Sequence, residues 1–368
     1  MQSTNDGLFT RGLAFGLAGS GKSPFFARVN FSRRIALGLV FVLAPVIAFA
    51  AAATRGKSAA SPPPTGTDDY KGAIVVDAET GGVLFEDRAD IAGAPASMTK
   101  LMTFAVLHDK LATGALSLET PIEVTAADSK IGGSQVWLKE HEVFPVQELL
   151  YAMMVHSAND AAYALARTAA GSVDAFVALM NEKARELGMT HTIFRSPHGL
   201  PPETRRTLDG DVSTPRDFAL LCRELLRSTD VLAYTSIRTR DFGTGVRPKP
   251  VEMTNSDHLV GRVPGVDGLK TGYTRDAGFC LSATAQRNGR RVLVVLMGSP
   301  TSKARDLKVA ELLEHGFAAL PPKPQVPAVQ INASAAPVIA VPGATPARAA
   351  VDEIPPLKFP AAAKRPMR

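Results

Sequence analysis

A chain of 368 residues with 45% hydrophobic content has room for one large domain or two smaller ones built around a real core. Its net charge of +6 is unevenly spread: residues 1–57 carry about +6 and residues 321–368 about +4, leaving the stretch between them at about −4. A mildly acidic body excludes a nucleic-acid footprint, and two cysteines exclude a disulfide framework or a zinc knuckle.

Along the chain, Gly16-Leu17-Ala18-Gly19-Ser20-Gly21-Lys22-Ser23 matches a phosphate-loop pattern. Pro24 follows at once and no hydrophobic strand precedes it, so the match carries no nucleotide chemistry. Arg33-Arg34 then leads into an uncharged apolar run, residues 35–53, with small residues at its end. That pattern predicts export, with the run acting either as a cleaved signal peptide or as an uncleaved signal anchor in the membrane. Residues 1–57 are therefore read as a leader, and 58–67, with Ser61-Pro62-Pro63-Pro64, as a linker.

The body, residues 68–318, opens with a β-hairpin: Ala73 to Asp77, a turn at Thr80-Gly81-Gly82, and Val83 to Phe85. Pro95-Ala96-Ser97 starts a helix through Met98, Leu101, Met102, Phe104, Ala105 and Leu107 that is expected to bury one face. Residues 145–169 read as a helical pair broken near Ser157-Ala158-Asn159, and 173–187 and 214–226 as amphipathic helices. Gly268 to Tyr273 and Gly278 to Ala285 read as strands, and Asn288-Gly289 turns the chain into a third, Arg291 to Met297. A closing helix covers 302–319. Residues 319–368 are rich in Pro and Ala without an apolar period, and are expected to be disordered and dispensable for chemistry. Cys222 and Cys280 sit in apolar runs and read as small buried hydrophobes rather than a disulfide.

Ser97-Met98-Thr99-Lys100 places a lysine one helical turn from a serine, where it can take the hydroxyl proton and make a nucleophile of it. A lone S-x-x-K match is weak. Here Ser157-Ala158-Asn159 and Lys270-Thr271-Gly272 follow in order. Together with Asp160-Ala161-Ala162, Ser196-Pro197-His198-Gly199-Leu200 and Tyr273-Thr274, these motifs resemble the serine D-Ala-D-Ala carboxypeptidases, the low-molecular-mass penicillin-binding proteins. The resemblance spans roughly residues 68–318.

It implies an α/β fold of the serine β-lactamase and DD-peptidase kind, an antiparallel sheet flanked by helices plus an all-helical lobe. It also implies removal of the terminal D-alanine of peptidoglycan stem peptides at the outer face of the cytoplasmic membrane or in the periplasm, with β-lactams as covalent inhibitors. In that reading Ser97 is the nucleophile and Lys100 its base, its pKa lowered by burial and a cation such as Lys270. Ser157 passes a proton to the leaving amine and Asn159 orients Lys100 and the substrate amide. Lys270 and Thr271 hold the terminal carboxylate, Gly272 permits close approach of substrate to the strand, and the N–H groups of Ser97 and Tyr273 form the oxyanion hole.

Two departures stand out. The tail has the pattern of neither the second all-β domain nor the amphipathic C-terminal helix of larger members, and Ser196 replaces an expected Asn. Endopeptidases that cut cross-links share the single-domain plan and form the runner-up reading. A β-lactamase would need a water-activating carboxylate, and no E-x-x-L-N pattern lies between Ser157 and Lys270; a non-catalytic wall-binding protein would not need both Ser97 and Lys100. The histidines, His141, His156, His191, His198 and His258 among them, show no zinc-ligand spacing, and no cofactor or metal is expected.

Overall fold

The computed structural model describes residues 70–201 and 209–322. The chain divides into two units, Met1–Pro64 and Thr65–Arg368; the first, with the leader, the apolar run 35–53 and most of the linker, lies outside the described residues, as do residues 323–368.

In chain order the second unit runs β1 (Gly72–Asp77), β2 (Val83–Asp87), a 3-10 turn (Ala96–Thr99), α1 (Lys100–Ala112), β3 (Pro121–Glu123), a second 3-10 turn (Asp128–Lys130), β4 (Val143–Pro145), α2 (Val146–Val155), α3 (Asn159–Ala170) and α4 (Val173–Glu186). It continues through α5 (Pro215–Ser228), α6 (Leu232–Thr235), β5 (Thr239–Phe242), β6 (Val251–Thr254), β7 (Val266–Thr274), β8 (Gly278–Arg287), β9 (Arg290–Ser299) and α7 (Ser302–Ala319). The main sheet is antiparallel with strand order β2-β1-β9-β8-β7, so β7 is an edge strand.

Period-2 alternation sorts the sheet into two cores. Ala73, Val75, Val292, Val294, Leu296 and Leu281 face α7, packing on Val309, Leu312 and Leu313. The alternate residues Ile74, Val76, Leu293, Val295 and Met297 face the core of α1 and α5. With both faces covered, β8 and β9 read as apolar runs. Gly316 lets α7 lie close to the sheet, because a Cβ there would sit 2.6 Å from Val292 Cγ1 and 2.8 Å from Val75 Cγ1. Asn288 and Gly289 both have positive φ, the requirement of the tight β8–β9 hairpin.

The second layer is the expected helical lobe, α1 to α4, whose core includes Leu149, Met153, Met154, Leu165, Phe176 and Met180. One expectation needs correction. The helix begins as the 3-10 turn and becomes α-helical only at Lys100, and every residue from Lys100 to Leu107 is buried rather than one face. α1 is wedged among α3, α4 and α5 and so has no solvent side there. The short pairs β3–β4 and β5–β6 were not anticipated, three or four residues being too short to show a period. Both cysteines are free and buried, with burial pushing the Cys222 thiol up to about 12 and the Cys280 thiol to about 11. Among the described residues no helix is long and apolar enough to cross a membrane, and no group of three potential metal ligands comes together.

Candidate active site

Ser97 lies in the 3-10 turn that feeds α1, and that turn is gripped from two sides by glycines. A Cβ on Gly272 of β7 would sit 2.5 Å from the Pro95 carbonyl oxygen, and one on Gly199 would sit 2.0 Å from that of Ala96. Gly199 also has φ +82, which any side chain would strain. The close approach that Gly272 permits here is of the serine's own turn to the strand.

Lys100 is fully buried at the start of α1. Its Nζ lies 2.6 Å from Asn159 Oδ1, 2.8 Å from the His198 carbonyl oxygen and 3.0 Å from Ser97 Oγ. The two carbonyl oxygens can only accept, so they take two of the amine's hydrogens. In the neutral amine the lone pair is then left facing the Ser97 hydroxyl. Burial, and secondly the charge of Lys270, hold Lys100 well below the ordinary lysine range.

Asn159 is the first residue of α3 and is fixed at three points: Oδ1 on Lys100, Nδ2 donating to the Gly132 carbonyl at 2.8 Å, and N donating to the Ser134 carbonyl at 2.8 Å. Behind it, the buried Asp160 carboxylate accepts from the N–H groups of Val136 and Leu138, tying loop 131–138 to α3. Ser157 closes the α2–α3 junction with φ +62 and is 5% exposed; none of the bonds that fix Lys100 involves it. Ala96, Trp137 and Ser157 are three of the six non-glycine residues with positive φ among the described residues, so backbone strain gathers in the segments that carry Ser97, Ser157 and the loop at Asn159.

On the opposite wall Lys270, buried on β7, donates to the Thr271 carbonyl oxygen at 3.2 Å. Burial brings its amine down to about 7, while the charge of Asp257 pulls the other way. Thr271 Oγ1 and Ser256 Oγ share a 2.6 Å hydrogen bond, and Tyr273 is exposed, its ring stacked on Phe279 at 4.1 Å. The Ser97, Lys100 and Asn159 side chains therefore meet directly. The Lys270 charge reaches Lys100 through space, without a hydrogen bond between them.

Several contributors escaped the sequence reading. Asp211, buried, accepts from the N–H groups of Arg195 and Ser196 at Oδ1, and from the Thr99 and Ser196 hydroxyls at Oδ2. It thereby pins loop 195–199, and with it the His198 carbonyl, to the residue before Lys100. Asp257 is buried behind Lys270, its carboxyl raised to about 6 by burial and its Oδ2 without a partner. Nothing in the sequence marks a lone aspartate as buried; Gly132-Gly133 was the one available signal for the loop at Asn159. His156, beside Ser157, has its pKa lowered from the ordinary histidine value chiefly by partial burial, and its ring lies 6.5 Å from that of Trp137, consistent with a packing role.

The family model of the D-alanyl-D-alanine carboxypeptidases matches residues 57–301, all three motifs included. The chain belongs to the D-alanyl-D-alanine carboxypeptidase family. It is 34% identical over 249 residues to D-alanyl-D-alanine carboxypeptidase DacF of Bacillus subtilis, covering 68% of this chain and 62% of that one. It is also 34% identical over 257 residues to DacA of Escherichia coli, covering 68% and 61%. The match thus spans about three fifths of the length of these carboxypeptidases. Among solved structures, ampicillin-bound penicillin-binding protein D2 of Listeria monocytogenes is similar with a TM-score of 0.60 at 31% identity, over 68% of this chain and 97% of that one. The sheet-and-helical-lobe architecture is the fold of this carboxypeptidase family and its penicillin-binding neighbours.

Proposed function

We propose that this protein is a serine D-Ala-D-Ala carboxypeptidase that removes the terminal D-alanine of peptidoglycan pentapeptides through an acyl-enzyme on Ser97. The observation that carries the reading is the 3.0 Å contact between Ser97 Oγ and an amine whose other hydrogens are committed to Asn159 and His198. Neutral Lys100 takes the hydroxyl proton as Oγ attacks the carbonyl carbon between the two D-alanines. Negative charge on the carbonyl oxygen is met by the N–H groups of Ser97 and Tyr273. As the C–N bond breaks, the Ser157 hydroxyl passes a proton to the departing amine. Water then hydrolyses the ester and regenerates Ser97. Asn159 keeps Lys100 aimed and binds the substrate amide, while Lys270 and Thr271 hold the free carboxylate. A β-lactam enters by the same attack, and the ampicillin-bound Listeria relative supports that parallel. The exported location rests on residues 33–53, outside the described residues.

A fluorescent penicillin is expected to label the wild-type protein covalently and to leave Ser97→Ala unlabelled; an adduct mapped elsewhere by mass spectrometry overturns the assignment. Comparing release of D-alanine from a monomeric pentapeptide with cleavage of a cross-linked dimer separates carboxypeptidase from endopeptidase action.

The pH dependence has a definite sign. Carboxylate capture needs charged Lys270, whose amine titrates at about 7, so kcat/KM for peptides ending in a free carboxylate falls as pH rises through about 7. Asp257, ionised above about 6, is the charge that raises Lys270. Asp257→Asn is therefore expected to move the falling limb to lower pH. C-terminally amidated peptides lack a carboxylate and are expected to lack that limb; the same decline on both substrates contradicts the role.

A further inference from the structure

Trp137 is the one tryptophan in 368 residues, and it is 59% exposed. Among the described residues only two Phe, Tyr or Trp side chains are exposed, Trp137 and Tyr273, one on the loop that holds Asn159 and the other on β7. Tyr273 directly follows Gly272 on edge strand β7. Trp137 ends the loop whose Gly132 and Ser134 carbonyls hold Asn159, and its ring neighbours His156, the residue before Ser157.

The loop is built to present that ring. Trp137 has φ +53, a left-handed conformation that a bulky residue adopts only under strain. The strain is held from both sides. The N–H groups of Val136 and Leu138 donate to the buried Asp160, and Arg247, paired with Glu142, donates to the carbonyls of Val136 at 2.7 Å and Trp137 at 2.9 Å. A side chain needed only for packing would be placed inward. Here a buried carboxylate and a largely buried guanidinium fix the backbone while the indole faces solvent.

We propose that Trp137 is the binding platform for the hydrocarbon side chain of the peptide residue preceding the two D-alanines, with Tyr273 opposite. An extended peptide laid along edge strand β7 projects alternate side chains away from the sheet, and an indole face offers a rigid apolar surface at low entropic cost. The inference rests on the carboxypeptidase reading and adds a specificity subsite to it.

The full-length protein tests it directly, since indole emission has a single source. In Ser97→Ala, a saturating acylated tripeptide ending in D-Ala-D-Ala, with a long alkyl side chain at the preceding residue, is expected to shift or quench emission. The glycine analogue is expected to leave it unchanged. In the Ser97-containing protein, Trp137→Ala should raise KM for the alkyl peptide roughly tenfold relative to the glycine analogue, and Trp137→Phe should restore most of the difference. Emission that ignores the alkyl peptide, or that answers to a soluble glycan disaccharide instead, overturns the platform. Penicillin labelling at Ser97 is run in parallel: lost labelling refutes the carboxypeptidase reading, whereas intact labelling with silent emission refutes only the role of Trp137.

Discussion

Replacing Lys100 by alanine is expected to slow acylation by about a hundredfold to ten-thousandfold, the range a positioned general base supplies. The amine touches three groups at once, so its loss does more than remove a proton acceptor. It leaves Asn159 Oδ1 and the His198 carbonyl without their shared donor in a buried position, and it takes away the amine at hydrogen-bond distance from Ser97. Lys100→Arg separates the two contributions. A guanidinium keeps a positive charge and donors but cannot act as a base near neutral pH, so it is expected to fail as badly as alanine. Stopped-flow measurement of penicillin acylation reads the rate with no contribution from product release. An arginine variant that acylates at more than a tenth of the wild-type rate would falsify the base assignment.

The largest effect on stability is expected at Asp211. Its carboxylate accepts four hydrogen bonds, and Thr99, whose hydroxyl donates one of them at 2.7 Å, is completely buried. Removing the acceptor strands buried donors at about 1–3 kcal/mol each, so Asp211→Ala is expected to cost roughly 3 kcal/mol or more. In a domain of this size, roughly 2–4 °C is lost per kcal/mol, which puts the thermal midpoint about 10 °C lower. Activity should fall further than unfolding alone accounts for, because loop 195–199 carries the carbonyl that orients Lys100. Asp211→Asn keeps one acceptor oxygen and should recover part of the midpoint. A midpoint for the alanine variant within about 2 °C of wild type would mean that water fills the site and satisfies the donors.

How far the site could be read from the chain varies residue by residue. Ser97 and Lys100 are one helical turn apart, and their contact is local geometry that spacing alone predicts. Ser157-Ala158-Asn159 was recognisable at the break between two helices, since an interruption of the 3.6-residue period is itself a sequence feature. The β7–β8–β9 strands were legible from apolar runs and the Asn288-Gly289 turn, and the closing helix expected over 302–319 is α7, whose cap at Thr301 the structure adds. By contrast, Asp211 and Asp257 look like any surface aspartate. Their roles come from burial in the folded protein, and for Asp211 from a bond to Thr99, 112 residues away, and no local pattern encodes either.

The order of motifs, the β1–β2 and β8–β9 hairpins and the amphipathic helices were thus determined by sequence itself, because each depends on residues within one or two turns of one another. Tertiary structure alone decided what surrounds Lys100 and Lys270. Both amines are lowered by desolvation, Lys100 also by the charge of Lys270, while Asp257 pulls Lys270 back up; these effects depend on packing an edge strand against a helical lobe. It also decided why Gly199 and Gly272 must be glycine: two distant backbones converge on the turn of Ser97 until no Cβ fits between them.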